Sequence, residues 1–228
     1  MTTRDEQLIA LVLGDAPAPP ELARWLATDA GRRELAAYRA ALEAFEALHA
    51  DRPRPARPVI YYCTMASPIG PLHVAAGEAG VVRIGFGGSE ASFVGGLGRL
   101  VGRLGVPVVR SAAKTADVVH QLRTYFAGER RTFDVRVDLS RVTPFQRRVL
   151  MAAAGVPAGK VVSYGEIARR IGQPRGSRAV GQALGSNPIP IVIPCHRIIA
   201  AGGKIGGYGG GLARKRKLLR LEGAMAAG

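Results

Sequence analysis

The sequence predicts an α+β protein, and three stretches of different texture indicate it. Residues 1–50 carry apolar residues at helical spacing, residues 59–140 mix β-branched runs with glycine and proline turns, and residues 141–224 show short helical patterns separated by glycines. Strand-rich and helix-rich parts that follow one another are typical of α+β folds. We therefore expect a helical extension, a linker at 51–58, an α/β domain and then a helical domain.

The extension is predicted to contain a helix over DAGRRELAAYRAALEAFEALHA, residues 29–50. Its apolar residues recur at spacings of three and four and form one stripe, namely Leu35, Tyr38, Leu42, Phe45 and Leu48. Asp29 is the expected N-cap. The next stretch, DRPRPARP at 51–58, has three prolines that exclude a helix or a central strand, so we expect an extended linker.

The middle of the chain is predicted to form a sheet with helices. VIYYCTMASPIGPLHVAAGEAGVVRIGFGG, residues 59–88, has β-branched and aromatic runs broken by SPIGP and GEAG, which predicts a meander of two or three strands. Helical patterns follow at 93–104 and at 116–127, the second ended by Gly128. TFDVRVDLS, residues 132–140, alternates with a period of two and predicts a further strand.

Two short helices in the last third predict a DNA-binding motif. TPFQRRVLMAAAG starts a helix with Thr143 as N-cap, Pro144 at the first helical position and Gln146 completing a capping box. After this helix, SYGEIARRIG repeats the pattern with Ser163 and Glu166 and predicts the first short helix of a pair. SRAVGQALGSNP predicts the second short helix, after the turn GQPRG. Two short helices joined by a glycine-containing turn in a basic region are typical of a helix-turn-helix.

Positive charge is concentrated in the same part of the chain. The net charge is +15, from 32 Lys and Arg against 17 Asp and Glu. Residues 1–140 hold 17 basic and 15 acidic residues, whereas residues 141–228 hold 15 basic residues against only Glu166 and Glu222. This distribution indicates a polyanionic partner, with nucleic acid as the leading candidate and an anionic membrane surface or simple solubility as alternatives.

Composition indicates a cytoplasmic globular protein. No apolar run approaches the roughly 18 residues that a membrane span needs, and MTTRDEQ has acids where a signal peptide is basic. The two cysteines lie far apart without CxxC spacing, which argues against a disulfide framework and a thiolate-rich zinc site. Cys63, His73 and His120 are too few for a closed zinc site, so we expect reduced thiols and no metal.

The candidate nucleophile, Cys195, lies beside His196 in the apolar stretch NPIPIVIPCHRII. A thiol in apolar surroundings is inert unless a base or a cation lies beside it, and His196 and Arg197 are candidates for both. The three prolines predict an extended run from the preceding helix, in which His196 acts on Cys195 through a bridging water. The alternative interpretation is an inert buried thiol beside a core histidine.

Five motifs carry a resemblance to a known family. TPFQ, VVSYGEIARRIGQP, RAVGQALGSNP, IPCHRII and GGYGGGLARKRKLLRLEG follow in the order found in the O6-alkylguanine-DNA alkyltransferases, the methylated-DNA–protein-cysteine methyltransferases. The resemblance covers about 59–224 and is nearly continuous from position 143. It implies an RNase H-like N-terminal α/β domain and a winged-helix-like helix-turn-helix domain. Residues 1–50 have no counterpart in the family.

The resemblance implies stoichiometric DNA repair. Cys195 attacks the alkyl carbon on O6 of guanine, and each molecule acts once, without a cofactor, because the thioether product has no good leaving group. In the family, the residue matching His196 relays the thiol proton through water towards Glu222. The residue matching Asn187 orders the segment, and Tyr164 corresponds to the donor of a proton to N3 of the base.

The resemblance also implies the pocket and the DNA contacts. The pocket is lined by the backbone around Cys195 and by Ile198, Tyr208, Gly209 and Gly210, where Gly209 replaces the usual serine of the family. The second helix of the motif enters the minor groove, and the target base is flipped out of duplex DNA. Arg178 matches the arginine that fills the vacated stack, with an ordinary phosphate contact as the alternative. The DNA-binding residues implied are Tyr164, Gln173, Arg175, Ser177 and Arg178.

Two other functions stay open from the residues alone. One is a helix-turn-helix regulator or lesion sensor without turnover, and the other is a hydrolase that uses Cys195 and His196. No glycine-rich oxyanion turn surrounds Cys195, which disfavours the hydrolase. We expect a monomer. Residues 1–50 are interpreted as a surface for a protein partner, with packing on the chain's own domain as the alternative.

Overall fold

The structure is a computed structural model that describes residues 4, 7, 8, 11, 17–48, 58–101 and 106–225. The chain divides into two compact units, Met1–Arg57 and Pro58–Gly228. None of the helices in the described part of the chain combines the length and the apolar character that a membrane span requires.

The first unit contains the two helices α1, Pro20–Leu26, and α2, Asp29–Leu48. The helix predicted from position 29 is confirmed, but the N-cap prediction is wrong by one residue. Thr28 Oγ1 accepts a 3.1 Å hydrogen bond from Gly31 N, and Asp29 lies inside the helix, where its carboxylate pairs with Arg32. Thr and Asp are both preferred N-cap residues, so the sequence alone does not decide between Thr28 and Asp29. Except for Pro58, the predicted linker lies outside the described residues.

The second unit begins with the predicted meander. Strands β1, Ile60–Met65, β2, Leu72–Gly77, and β3, Gly80–Phe86, pair antiparallel in consecutive order, which confirms the prediction. A fourth strand, β4, Val108–Arg110, pairs parallel to β1, so the sheet order is β3-β2-β1-β4. The sequence analysis did not predict β4, because three residues are too short for a periodic signal.

Helices cover the two faces of this sheet. Helix α3, Glu90–Val101, packs Phe93 and Leu97 against one face, and helix α4, Ala116–Phe126, buries Leu122 in the core on the other. Both helices were predicted, although α3 begins before the expected position 93. The strand predicted at 132–140 is wrong. That segment makes one isolated bridge, from Val137 to Val81, and its alternation instead reflects side chains that pack against the main core.

The last third is helical, as predicted. Its helices are α5, Pro144–Ala154, α6, Tyr164–Arg170, α7, Ser177–Gly185, and α8, Leu212–Leu221, and two short parallel strands pair within it, β5, Val162–Ser163, and β6, Ile198–Ile199. Helices α6 and α7 with the turn between them form the predicted helix-turn-helix. The pairing of β5 with β6 holds the segment that follows Cys195 against the start of α6.

The N-termini of α5 and α6 follow the sequence signals in part. Thr143 Oγ1 accepts from Gln146 N at 3.2 Å, and Ser163 Oγ accepts from Glu166 N at 3.1 Å, which confirms both caps. Neither predicted capping box forms. The Gln146 side-chain amide donates to Ala183 O and to Ser186 instead, and the Glu166 carboxylate pairs with Arg169 and Arg170. Gln146 therefore ties α5 to the C-terminal end of α7, next to the segment that leads to Cys195.

One hydrophobic core joins the sheet to the helices of the last third. Side chains of β1 and β2, such as Met65 and Val74, belong to the same buried cluster as Leu150, Ile167 and Leu218. Ile84 N on β3 also donates a 2.8 Å hydrogen bond to Pro188 O, at the start of the segment that leads to Cys195. The position of Cys195 is thus set by both parts of the unit.

Candidate active site

The segment that leads to Cys195 is a tight loop rather than an extended run. Ile193 N donates to Ile189 O at 2.9 Å, and fully buried Ile191 has a φ of 77°, a left-handed conformation that is strained for a β-branched residue. The predicted extended conformation is wrong because the prolines only disfavour helix at the preceding residues. They do not prevent a turn at Ile191, which no proline follows.

Asn187 holds this loop closed with its side-chain amide. Its Oδ1 accepts from Ile189 N at 3.0 Å, and its Nδ2 donates to Ile193 O at 2.9 Å and to Cys195 Sγ at 3.1 Å. One side chain therefore links the end of α7, the loop and the thiol. These hydrogen bonds are compatible with the ordering role that the resemblance implies for Asn187, which stays a prediction.

Burial controls the ionisation of the Cys195 thiol. The residue is 6% exposed and begins a single 3₁₀ turn, Cys195–Arg197. Burial raises the pKa of the thiol, and the Asn187 amide and the Lys215 ammonium partly oppose it, leaving the pKa at about 11. The thiol is consequently protonated near neutral pH and needs a base before it can act as a nucleophile.

His196 is the base that the geometry supplies. Its side chain is fully buried, with Nε2 2.9 Å from Glu222 Oε1. Burial lowers the pKa of His196 and the Glu222 carboxylate partly opposes this, so the ring is neutral at physiological pH. A neutral ring must donate from Nε2 to the carboxylate, which leaves the Nδ1 lone pair as the acceptor. Nδ1 is buried and has no hydrogen-bond partner within the described part of the chain.

Glu222 is fixed in its charged form. Arg197 Nε donates to Glu222 Oε2 and Arg197 Nη2 to Oε1, both at 2.8 Å, and Tyr125 Oη donates to Oε1 at 2.7 Å. Burial favours the neutral acid, but the hydrogen bonds from His196, Arg197 and Tyr125 outweigh it and lower the pKa of Glu222 to about 2. Arg197 therefore serves the carboxylate and is not the cation beside the thiol that the sequence suggested.

The cation beside the thiol is Lys215, which sequence analysis missed. Lys215 is fully buried on α8, and its Nζ donates to Ile198 O and to Gly207 O. Burial lowers its pKa to about 8, and Cys195 acts in the opposite direction when it is ionised. A signal did exist: Lys215 precedes the buried Leu218 and Leu219 by three and four positions, so it shares their helix face. The surrounding run of basic residues hid it.

A cavity of about 290 Å³ opens onto the thiol. This volume lies just below the range of small-molecule pockets, roughly 300–1,000 Å³. The residues that line it come from α6, α7, the loop before α8 and the 3₁₀ turn Cys195–Arg197, which we call the reactive turn. They are Tyr164, Gly181, Leu184, Gly185, Cys195, Gly207, Tyr208 and Gly209. Tyr164, Cys195, Tyr208 and Gly209 from the predicted set thus meet at one cavity.

A second cavity of about 190 Å³ touches the thiol from the side of the sheet. It is lined by the end of β3, by Asn187 and Pro190 and by Gly210. Ile198 lines neither cavity, and its carbonyl is occupied by Lys215. Of the other predicted pocket residues, Cys195, Tyr208 and Gly209 line both cavities, and Gly210 lines only the second.

Gly209 stands at the point where the pocket loop meets α7. A Cβ atom on Gly209 would lie 2.9 Å from the carbonyl oxygen of Gly185, closer than such atoms approach in proteins. The serine that is usual in the family cannot be placed here without a shift of one backbone. The loop is also held by Tyr164 Oη, which donates to Gly207 O at 3.1 Å.

The predicted DNA-binding side chains surround the turn of the helix-turn-helix. Gln173, Arg175 and Arg178 are exposed, Ser177 is half-buried, and Tyr164 begins α6. Among the described residues, Arg175 and Arg178 take part in no hydrogen bond or ion pair, whereas Arg169 and Arg170 are held by Glu166. The two free guanidinium groups are thus available to a partner.

Two further features lie apart from this site. A larger cavity, about 790 Å³, borders Arg197 and Glu222 but is not lined by Cys195. The other cysteine, Cys63, is buried on β1 opposite Val74. Within the described residues, no three side chains of His, Cys, Asp or Glu form a group that could hold a metal ion.

Comparison with known proteins places this site in a family. Residues 60–139 match the ribonuclease-like domain, and residues 144–224 the DNA-binding domain, of the family models for 6-O-methylguanine DNA methyltransferase. The chain is 40% identical over 169 residues to the methylated-DNA–protein-cysteine methyltransferase of Methanosarcina acetivorans, covering 72% of this chain and 99% of that protein.

The sequence match to a mycobacterial relative covers a shorter region than the structural match. The methylated-DNA–protein-cysteine methyltransferase of Mycolicibacterium paratuberculosis is 58% identical over 107 residues, which cover 47% of this chain and 64% of that protein. The crystal structure of a Mycobacterium tuberculosis relative in complex with DNA matches with 43% identity and a TM-score of 0.59, over 72% of this chain and 92% of that chain. These matches confirm the resemblance and the α+β fold class. The chain belongs to the methylated-DNA–protein-cysteine methyltransferase family.

Proposed function

We propose that this protein repairs DNA by transferring an alkyl group from O6 of guanine to Cys195, once per molecule. The observation that carries the proposal is a buried thiol that lines a cavity of about 290 Å³, next to a neutral histidine that is hydrogen-bonded to a fixed carboxylate. The names of the relatives support the substrate, and the relative crystallised with DNA supports the partner.

The geometry supports a nucleophilic displacement in which the Cys195 sulfur attacks the alkyl carbon and guanine is the leaving group. His196 Nδ1 takes the thiol proton through a water molecule while Glu222 stabilises the imidazolium that forms. The sulfur bonds to the alkyl carbon, the carbon–oxygen bond breaks, and its electron pair moves to O6 of guanine. Tyr164, held at the edge of the cavity, gives a proton to N3 of the base so that guanine leaves neutral. Tyr164 then regains a proton from solvent, and His196 releases one, so the net proton transfer is from the thiol to guanine.

Lys215 contributes without touching the leaving group. Its ammonium lies behind the reactive turn, where it favours the thiolate over the thiol, and it holds the carbonyls of Ile198 and Gly207 in place. All these groups belong to one chain, so the proposed active form is a monomer. Arg175 and Arg178 at the turn of the motif are proposed to contact DNA, with Arg178 filling the stack after the base has flipped.

The partition of a labelled methyl group tests the proposed function. DNA that carries O6-methylguanine with a labelled methyl group is incubated with the protein, and label is counted in protein, DNA and solution. The proposal expects label on the protein. Label that stays on bound DNA would identify a lesion sensor, and label released into solution would identify a hydrolase, so either result would overturn the proposal.

Arg178→Ala is expected to slow transfer from duplex DNA by roughly ten- to a hundredfold, because flipping a base costs a few kcal/mol. The free base O6-methylguanine needs no flipping, and its rate is expected to stay near that of the wild type. Single-turnover rates on the two substrates provide the measurement. Arg175→Ala is the matched control, expected to weaken binding and to lower the salt slope by about one unit. Equal rate losses on both substrates for Arg178→Ala would contradict the stacking role.

Deleting residues 1–57 is expected to leave alkyl transfer nearly intact. The chain divides into compact units at Arg57 and Pro58, and every group of the proposed site lies in the second unit. Residues 1–58 are also nearly neutral, with 8 basic and 9 acidic residues, so they add little to the basic field. The single-turnover rate of a chain that begins at Pro58 checks this. A truncated protein that folds but does not react would show that the extension completes the site.

A further inference from the structure

Tyr125, in the ribonuclease-like part of the chain, contacts the proton relay, which we define as Cys195, His196 and Glu222. It lies on α4, is 1% exposed, and donates a 2.7 Å hydrogen bond to Glu222 Oε1. The same oxygen accepts from His196 Nε2 at 2.9 Å and from Arg197 Nη2 at 2.8 Å. The carboxylate that supports the histidine is therefore held from two directions: by the reactive turn and by a helix that packs on the sheet.

We propose that Tyr125 is a positioning residue for alkyl transfer, whose hydroxyl holds the Glu222 carboxylate towards His196 and weakens it as an acceptor, so that His196 stays neutral. The inference rests on the proposed function, because it concerns the same relay. It gives the ribonuclease-like domain a part in positioning the groups that take the thiol proton. Tyr125 itself lines neither of the two cavities at Cys195.

The hydroxyl of Tyr125 is a permanent donor. Burial, together with the negative charge of Glu222, raises the pKa of Tyr125 far above its ordinary value, so the phenol keeps its proton throughout the physiological range. A donor that cannot titrate stabilises the charge of the carboxylate at every pH. Without it, Glu222 Oε1 keeps two of its three donors, and its bond to His196 strengthens. A stronger bond increases the fraction of His196 that is already protonated in the resting protein, and that fraction cannot accept the thiol proton.

The position of this hydroxyl is fixed by packing and does not depend on the relay. The Tyr125 ring makes an edge contact with Phe126 and a tilted contact with Phe133, with both pairs of ring centroids 5.3 Å apart. Phe133 belongs to the irregular segment that was expected to be a strand. Neighbouring rings on α4 and on that segment thus aim the hydroxyl at Glu222.

Other titratable or charged groups near His196 and Glu222 also affect the pKa of His196. Burial is the main cause that lowers the pKa of His196; Glu222 raises it, and Arg197 and Lys215 lower it further. Arg131 favours the charged form of Tyr125 from the side of α4. The titratable or charged groups around the relay are Tyr125, Arg131, Cys195, Arg197, Tyr208, Lys215 and Glu222. Among them, Tyr125 is the neutral donor to the carboxylate.

The test compares Tyr125→Phe with Tyr62→Phe in the full chain. The control removes another tyrosine hydroxyl of the same domain, which donates to the Glu90 carboxylate at 3.0 Å. For each variant, single-turnover alkyl transfer is measured from acid to alkaline pH, and the pKa of His196 is measured by NMR titration. Because NMR does not depend on transfer, it tests the Tyr125 link even if the wild type transfers nothing, a result that would overturn the proposed function alone.

Tyr125→Phe is expected to raise the pKa of His196 and to move the acid limb of the rate profile to higher pH. The rate at neutral pH is expected to fall roughly two- to tenfold, the range that one hydrogen bond accounts for, and to recover at alkaline pH. Tyr62→Phe is expected to change neither quantity. Fluorotyrosine at position 125 keeps the packing and donates more strongly, so it should shift the pKa of His196 downward. An unchanged His196 pKa in both position-125 variants, or a rate loss equal at every pH, would overturn the proposal.

Discussion

Cys195→Ser is expected to abolish alkyl transfer, to below roughly one ten-thousandth of the wild-type rate, the scale seen when a nucleophile is removed. The serine hydroxyl is a much weaker nucleophile than the thiol, and His196 removes its proton less readily than that of the thiol, because an aliphatic hydroxyl is the weaker acid. DNA binding should persist, because Arg175 and Arg178 are unaffected. Single-turnover transfer and a binding titration on the same DNA make the comparison.

Cys63→Ser is the matched control for this prediction. Cys63 is the other thiol of the chain, buried on β1 in the core and lining neither cavity at Cys195. This variant is expected to cost stability and to keep transfer. Residual transfer by Cys195→Ser together with loss of transfer in Cys63→Ser would move the nucleophile to β1 and overturn the assignment.

Glu222→Gln is expected to destabilise the protein by about 3–5 kcal/mol and to suppress transfer. The substitution removes the negative charge from a buried pair and leaves the Arg197 guanidinium without its partner, and breaking such pairs costs about that much. His196 also loses the carboxylate that stabilises its imidazolium. Denaturant unfolding and single-turnover transfer, measured on the same sample, separate the two effects.

The charge of Glu222 also predicts how stability depends on pH. Its pKa is lowered from 4.5 to about 2 in the folded protein, so its contribution is fully present above pH 4.5 and is lost as pH falls towards 2. Glu222→Gln is therefore expected to flatten the acid limb of the stability profile. Glu166→Gln is the control, because Glu166 is a partly exposed partner of Arg169 and Arg170, and a far smaller loss is expected there. Equal losses in the two variants would contradict the buried-pair account.

Local signals in the sequence predicted the elements that depend on neighbouring residues. The caps at Thr143 and Ser163, the meander and the helix-turn-helix were all predicted, because a cap or a period is written within a few residues. The Asp29 cap and the Gln146 capping box show the limit. Thr28 competes for the first role, and Gln146 finds partners on α7 that are distant in the sequence.

The missing parts of the site depend on long-range contacts. Tyr125 lies 97 positions from Glu222, and nothing near it in the sequence indicates that partner. The turn at Ile191 requires a left-handed residue that local preference disfavours, and it is held by Asn187 and by surrounding burial. Lys215 looked like one member of a solvated basic run. In each case tertiary packing overrides the local pattern.

The most direct test of the central claim is peptide mapping of the wild-type protein after a single exposure to excess DNA carrying O6-methylguanine. We predict one methyl group per molecule, located on Cys195, and no further uptake when fresh DNA is added, because the thioether offers no leaving group at the transferred carbon. A methyl group on Cys63, or several methyl groups removed from DNA by each protein molecule, would contradict the account.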